Sequence, residues 1–99
     1  MNLHEIKQQL IAKGAYCFFC GRTDQPLDLA HLIRRSASAV HRENPGNCVL
    51  ACRRCHDIFD NHPACRVHLP GFPRAMRRIK AIDEDYYNEI KDKWYDYKC

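Results

Sequence analysis

Two Cys-x-x-Cys pairs, Cys17/Cys20 and Cys52/Cys55, restrict this chain more than any other feature of its sequence. Each pair offers two thiolates from one tight turn, and Zn²⁺ takes four such ligands in a tetrahedron. Two knuckles together close the shell and leave no position for water. The pattern therefore predicts a structural four-cysteine zinc site that ties residues 17–20 to residues 52–55.

Ninety-nine residues make a single domain, 1–99, whose core is small for its surface. A structural zinc supplies on the order of 10 kcal/mol of apparent folding free energy, which suits a chain of this size. The cysteines number seven, an odd count. Residues 1–13 alternate apolar and charged side chains, so neither a leader peptide nor a membrane span is expected. A secreted disulfide scaffold lacks its usual context, and a reducing, cytoplasmic location is expected instead. Cys48, Cys65 and Cys99 then read as free thiols, with Cys48 or Cys65 able to substitute in the zinc shell.

The formal charge is +4, and its distribution says more than its size. Arg34, Arg35, Arg42, Arg53, Arg54 and Arg66 fall in or beside the cysteine-framed segment, whereas acidic residues gather toward the C-terminus. Guanidinium forks match phosphate geometry, so a polyanionic partner fits this asymmetry.

Along the chain, Leu3, Ile6, Leu10 and Ile11 recur at helical spacing and Gly14 suits a C-cap, which predicts an N-terminal helix within residues 1–14. Tyr16, Phe18 and Phe19 interleave with the first knuckle and are expected to pack around it. Residues 27–33 alternate as a strand, with Leu27, Leu29, His31 and Ile33 on one face. A polar connection, 34–47, leads to a short strand at 48–50, and a helix runs from Arg53 to about Asn61, stopped by Pro63. Residues 63–73 hold three prolines and Gly71 and read as irregular. From Arg74 onward Met76, Ile79, Ile82, Tyr86, Ile90, Trp94 and Tyr97 mark one long helix, or two with a break near Asp83. The domain thus divides into a helix (1–14), a finger (15–63) and a helical extension (64–99).

The ordered set Cys-x-x-Cys, His31 on a strand, then Asn47-x₃-Leu-x-Cys-x-x-Cys-His56 resembles the HNH endonuclease family, in particular its small bacterial and phage members with a four-cysteine zinc. The likeness spans residues 17–62. It implies an α+β fold in which a small zinc-stabilised ββα-metal finger is flanked by N- and C-terminal helices. It also implies that His31 is the general base, that Asn47 ties down the loop after the His31 strand, and that His56 holds a catalytic divalent cation such as Mg²⁺. Asp60, at i+4 from His56 on the same helical face, and His62, swung back by Pro63, are the further candidate ligands. Many family members place an Asp or His just before the base; here that position is Ala30, which ligates nothing. Asp28, His62 or His31 itself are the available substitutes.

The resulting expectation is a metal-dependent endonuclease acting on nucleic acid, DNA in particular. Arg34, Arg35, Arg42, Arg53 and Arg54 would grip phosphates with little reading of base edges. The alternative is a zinc-stabilised nucleic-acid-binding module that does not cut, which Ala30 favours. A protein-interaction zinc ribbon using the tyrosine-rich C-terminal helix is a third reading. The sequence does not fix the oligomeric state.

Overall fold

Asn2 opens the first helix, its side-chain oxygen accepting from the Glu5 N–H at 2.9 Å. Helix α1 (Leu3–Lys13) ends at Gly14, whose N–H reaches the Leu10 and Ile11 carbonyls. Gly14 takes φ +148°, a backbone conformation that a side chain resists. The computed structural model describes residues 2–34, 41 and 43–96.

Strands β1 (Leu27–His31) and β2 (Cys48–Cys52) pair antiparallel, from Leu27 opposite Cys52 to His31 opposite Cys48. The alternating pattern of residues 27–33 predicts a longer first strand, but pairing stops at His31. Beyond it, the Leu32 and Ile33 N–H groups turn to the backbone and side-chain oxygens of Asn47, at 2.9 and 2.7 Å. A 3-10 turn, Pro45–Asn47, thereby closes the hairpin in place of two more strand rungs. Every residue of β2 is buried, because α1 covers it on one side and the helices that follow lie on the other.

Four helices follow: α2 (Arg53–Asn61), α3 (Pro63–Arg66), α4 (Phe72–Ile82) and α5 (Glu84–Asp96). The stretch expected to be irregular contains α3 and the start of α4. Pro63 and Pro73 each sit in a first helical turn, where a missing N–H costs nothing. Asp83 divides the C-terminal segment in two: its N–H ends α4 on the Ile79 carbonyl, and its carboxylate accepts from the Tyr86 N–H at 3.1 Å to begin α5.

The core gathers around aromatic rings. Phe19 lies 5.0 Å from Phe59, Phe59 meets Trp94 edge-on at 5.8 Å, and Phe72 is 6.2 Å from Trp94. The Arg66 guanidinium sits over the Trp94 ring at 4.2 Å. Ile90 and Trp94 thus pack α5 back onto the finger, and among the described residues Tyr95 is the large hydrophobic side chain that this helix leaves exposed. Tyr97 lies outside the described residues. Of the aromatic residues near the first knuckle, Phe19 is buried and Phe18 half-buried, but Tyr16 is 54% exposed.

The remaining cysteines differ from the expectation of three free thiols. Cys48 is a free, buried thiol whose pKa burial pushes up. Cys65, in the short α3 that packs on α5, is disulfide-bonded, a correction that chain position alone does not reveal. Cys99 lies outside the described residues. No helix among the described residues is long and apolar enough to cross a membrane.

Candidate metal centre and adjoining cleft

The first knuckle forms because Gly21, at φ +80°, lets its N–H return to the Cys17 carbonyl at 2.8 Å while the Cys17 N–H reaches the Arg22 carbonyl at 2.9 Å. The second begins at the end of β2, where Cys52 precedes α2 and Cys55 lies in its first turn. The four sulfurs of Cys17, Cys20, Cys52 and Cys55 all lie within 4.8 Å of one another, and Cys20 Sγ is 3.9 Å from Cys52 Sγ. A tetrahedron with Zn–S bonds of about 2.3 Å has edges of about 3.8 Å, so the cluster is compatible with a structural zinc site.

The electrostatics fit a cation as well. Burial raises the Cys17 thiol, but the backbone N–H groups of Cys20, Cys52 and Phe19 outweigh it and bring the group down to about 7. Burial pushes Cys20 and Cys55 the other way, and Cys52 next to them adds to the rise. A divalent ion at the centre would favour the thiolate form of the ligands that burial otherwise keeps protonated.

Beside this frame, α1, β1 and α2 enclose an open cleft of about 480 Å³. His31 from the end of β1 and Arg34 just after it line one side, and His56 and Asp60 from α2 line another. His56 Nε2 lies 3.0 Å from Asp60 Oδ2, one helical turn on, and His56 Nδ1 lies 3.5 Å from Asp28 Oδ2. Asp28 also meets Arg53 Nε at 3.6 Å. His56 is therefore held between two carboxylates, which fixes its ring plane.

Asn47 is fully buried. Its side-chain oxygen accepts from Ile33 N–H, and its amide nitrogen donates to the Ile33 carbonyl at 3.0 Å and the His41 carbonyl at 3.1 Å. These bonds anchor the segment that leaves β1 immediately after His31.

The structure does not bring every candidate to the cleft. His62 caps the end of α2 and pairs with Asp57 at 3.0 Å, both side chains more than half exposed, and it does not line the cleft. Arg53 and Arg54 are exposed at the start of α2, whereas Arg35 and Arg42 lie outside the described residues. Ala30 is buried in the core. Among the described residues, the only group of three or more His, Cys, Asp or Glu close enough to hold an ion is the four-cysteine cluster.

Two residues that sequence patterning did not single out, His4 and Lys7 of α1, also line the cleft. No local signal marks them; they arrive there because Ile6, on the same helix, is buried and packs α1 over β2. No protein-family model, curated protein or solved structure matches this chain.

Proposed function

We propose that the chain is a metal-dependent endonuclease of the HNH type, with β1, β2 and α2 as its ββα-metal finger and nucleic acid, DNA in particular, as its substrate. The observation that carries this reading is the meeting of His31, His56 and Asp60 in one cleft beside Arg34 and Lys7. A strand imidazole and a helix imidazole–carboxylate pair, edged by cations, form the constellation that phosphodiester hydrolysis needs.

The 3.0 Å separation of His56 Nε2 and Asp60 Oδ2 fits a divalent cation, since adjacent ligands of an octahedral Mg²⁺ at about 2.1 Å stand about 3.0 Å apart. Such an ion, when bound, supplies charge stabilisation at the phosphate and at the leaving oxygen. With Ala30 offering no ligand, His56 and Asp60 would be the chain's own ligands to such an ion, and Mg²⁺ is commonly held by as few side chains. His31 takes the proton of the attacking water, Asn47 keeps the segment behind it in register, and Arg34 and Lys7 hold flanking phosphates. Cleavage then leaves 5′-phosphate and 3′-hydroxyl ends.

A supercoiled-plasmid nicking assay in Mg²⁺ or Mn²⁺ tests this directly. Nicking is expected from the wild-type chain and is expected to fall by about 100-fold or more in His31→Ala and in His56→Ala. Activity that persists unchanged in His31→Ala removes the mechanism.

Ala30, and the lack of any third close ligand among the described cleft residues, favour a second reading: a zinc-stabilised nucleic-acid-binding module without catalysis. DNA binding with no cleavage in Mg²⁺, Mn²⁺, Ni²⁺ or Zn²⁺ decides for it.

A further inference from the structure

The C-terminal half of α1, β2 and α4 bound a second groove, of about 590 Å³, which the chemistry proposed above does not use. The geometry points to this groove as a nucleotide subsite: it takes one unpaired base of single-stranded nucleic acid against Tyr16, with the neighbouring phosphates on Lys13 and Arg78. The inference rests on the nucleic-acid reading of the chain and adds to it the form of the substrate.

Tyr16 carries the argument. It is one of only three large apolar side chains exposed among the described residues, at 54%, and a second, Ile11 at 40%, lies on the same end of α1. Its ring rests against Gly14, where even a Cβ would come within 3.1 Å of Tyr16 Cε1. One edge of the ring thus lies beside Gly14 while much of the residue faces solvent, an arrangement that leaves the ring open to stacking.

The lining matches a nucleotide in both its parts. Val49, Leu50 and Ile82 give an apolar floor, and the groove's size is within the range of small-ligand sites. Among the described residues, its charged lining residues are Lys13 and Arg78, and no Asp or Glu lines it. The Arg78 guanidinium lies 5.2 Å above the Phe18 ring, on which Arg74 also sits at 5.4 Å while donating to the Phe18 carbonyl. Arg74 is therefore tied down and Arg78 is held at the rim by a π contact that leaves its N–H groups available to an anion. A paired base hides its face in the stack, so the site selects unpaired strand.

Helix α1 also relates the groove to the cleft. Lys7 lines the cleft and Lys13 the groove, so the two sites are separated along the helix by six residues, or about 9 Å.

The test titrates fluorescein-labelled single-stranded and duplex 12-mers into the zinc-loaded full chain by anisotropy. A second series carries 2-aminopurine at successive positions. Single strand is expected to bind more tightly than duplex, with one 2-aminopurine position quenched. Tyr16→Ala is expected to weaken single-strand binding about tenfold and abolish that quenching, while Tyr16→Phe retains both. Lys13→Ala and Arg78→Ala are each expected to flatten the salt dependence by roughly one phosphate contact.

Equal single-strand affinity and quenching in Tyr16→Ala and wild type overturns the subsite, while nicking that still depends on His31 leaves the proposed function standing. No affinity of the wild-type chain for either nucleic acid overturns both. An acidic amphipathic peptide that displaces the strand from wild type, with no quenched position, reassigns the groove to a protein partner. Should Tyr16→Ala fail to fold, the quenching profile of wild type against Tyr16→Phe decides alone, and its absence in both overturns the subsite.

Discussion

Asn47→Ala is expected to destabilise the fold far more than its size suggests. The side chain is wholly buried and makes three hydrogen bonds, all to backbone groups: Ile33 N–H, Ile33 C=O and His41 C=O, the last of which also accepts from Asn44 N–H at 3.3 Å. Removing a partner leaves a buried backbone group to bear its full desolvation penalty, about 1–3 kcal/mol each. The two Ile33 groups lie in the fully buried part, whereas the half-buried His41 carbonyl keeps the Asn44 N–H, so the sum over the Ile33 pair is about 2–6 kcal/mol. That is a large share of the roughly 5–15 kcal/mol stability of a typical domain. Urea denaturation followed by Trp94 fluorescence, at fixed free Zn²⁺ so that metal linkage cancels, measures it. Asn47→Asp keeps the Ile33 N–H bond but turns a carboxylate oxygen toward two carbonyls, so it is expected to be nearly as damaging. A loss under about 1 kcal/mol in Asn47→Ala would refute the reasoning, because it would mean that those backbone groups find water or each other.

Two further perturbations follow from the same geometry. Cys17→Ser, Cys55→Ser or exhaustive chelation is expected to remove one zinc per chain by elemental analysis, with loss of the near-ultraviolet signal of the aromatic core. Because protons compete for the four thiols, zinc affinity is expected to rise as pH goes from about 6 to about 8. Gly71→Ala is expected to cost about 1–3 kcal/mol in thermal or urea unfolding, since its Cβ would come within 2.7 Å of the Phe18 carbonyl oxygen and Phe19 Cα, both backbone.

The parts of this fold that chain order reveals are those whose causes are local. The two knuckles are visible because two thiols three residues apart can do little else together. The break at Asp83 is visible because a short carboxylate just before a helical run is a cap. What chain order hides depends on neighbours that are distant in sequence. Pro63 and Pro73 read as breakers, yet in a first turn a proline begins a helix, and the sequence does not say which side of it the helix lies on. The loss of the last rungs of β1 follows from Asn47, which offers a backbone and a side-chain oxygen to Leu32 and Ile33. Asp60 and His62 both follow His56 closely in sequence, but Asp60 stays on the helix one turn on, whereas His62 lies at the end of α2 and pairs with Asp57. His4 and Lys7 enter the cleft through the packing of Ile6, and Tyr16 stays out of the core through the turn at Gly14.

Ala30 bears most directly on whether the cleft cuts nucleic acid. On the proposed HNH reading an obvious repair is Ala30→Asp, which would supply the carboxylate that many HNH enzymes carry just before their catalytic histidine. The structure argues against it: Ala30 is 1% exposed and belongs to the same buried cluster as Val49 and Phe59, while His31 opens onto the cleft. A carboxylate at position 30 would be buried without a partner, at a cost of several kcal/mol, or stay protonated. The accessible carboxylates near His56 are those of Asp28 and Asp60, one on each side of its ring. Ala30→Asp is therefore expected to lower the unfolding midpoint and to leave nicking no faster, whereas Asp60→Asn is expected to weaken divalent-cation dependence without unfolding the chain. An Ala30→Asp protein that is as stable as wild type and cuts faster would show that position 30 faces the cleft, and the arrangement of His56 between Asp28 and Asp60 would then lose its claim to be the ion-binding element.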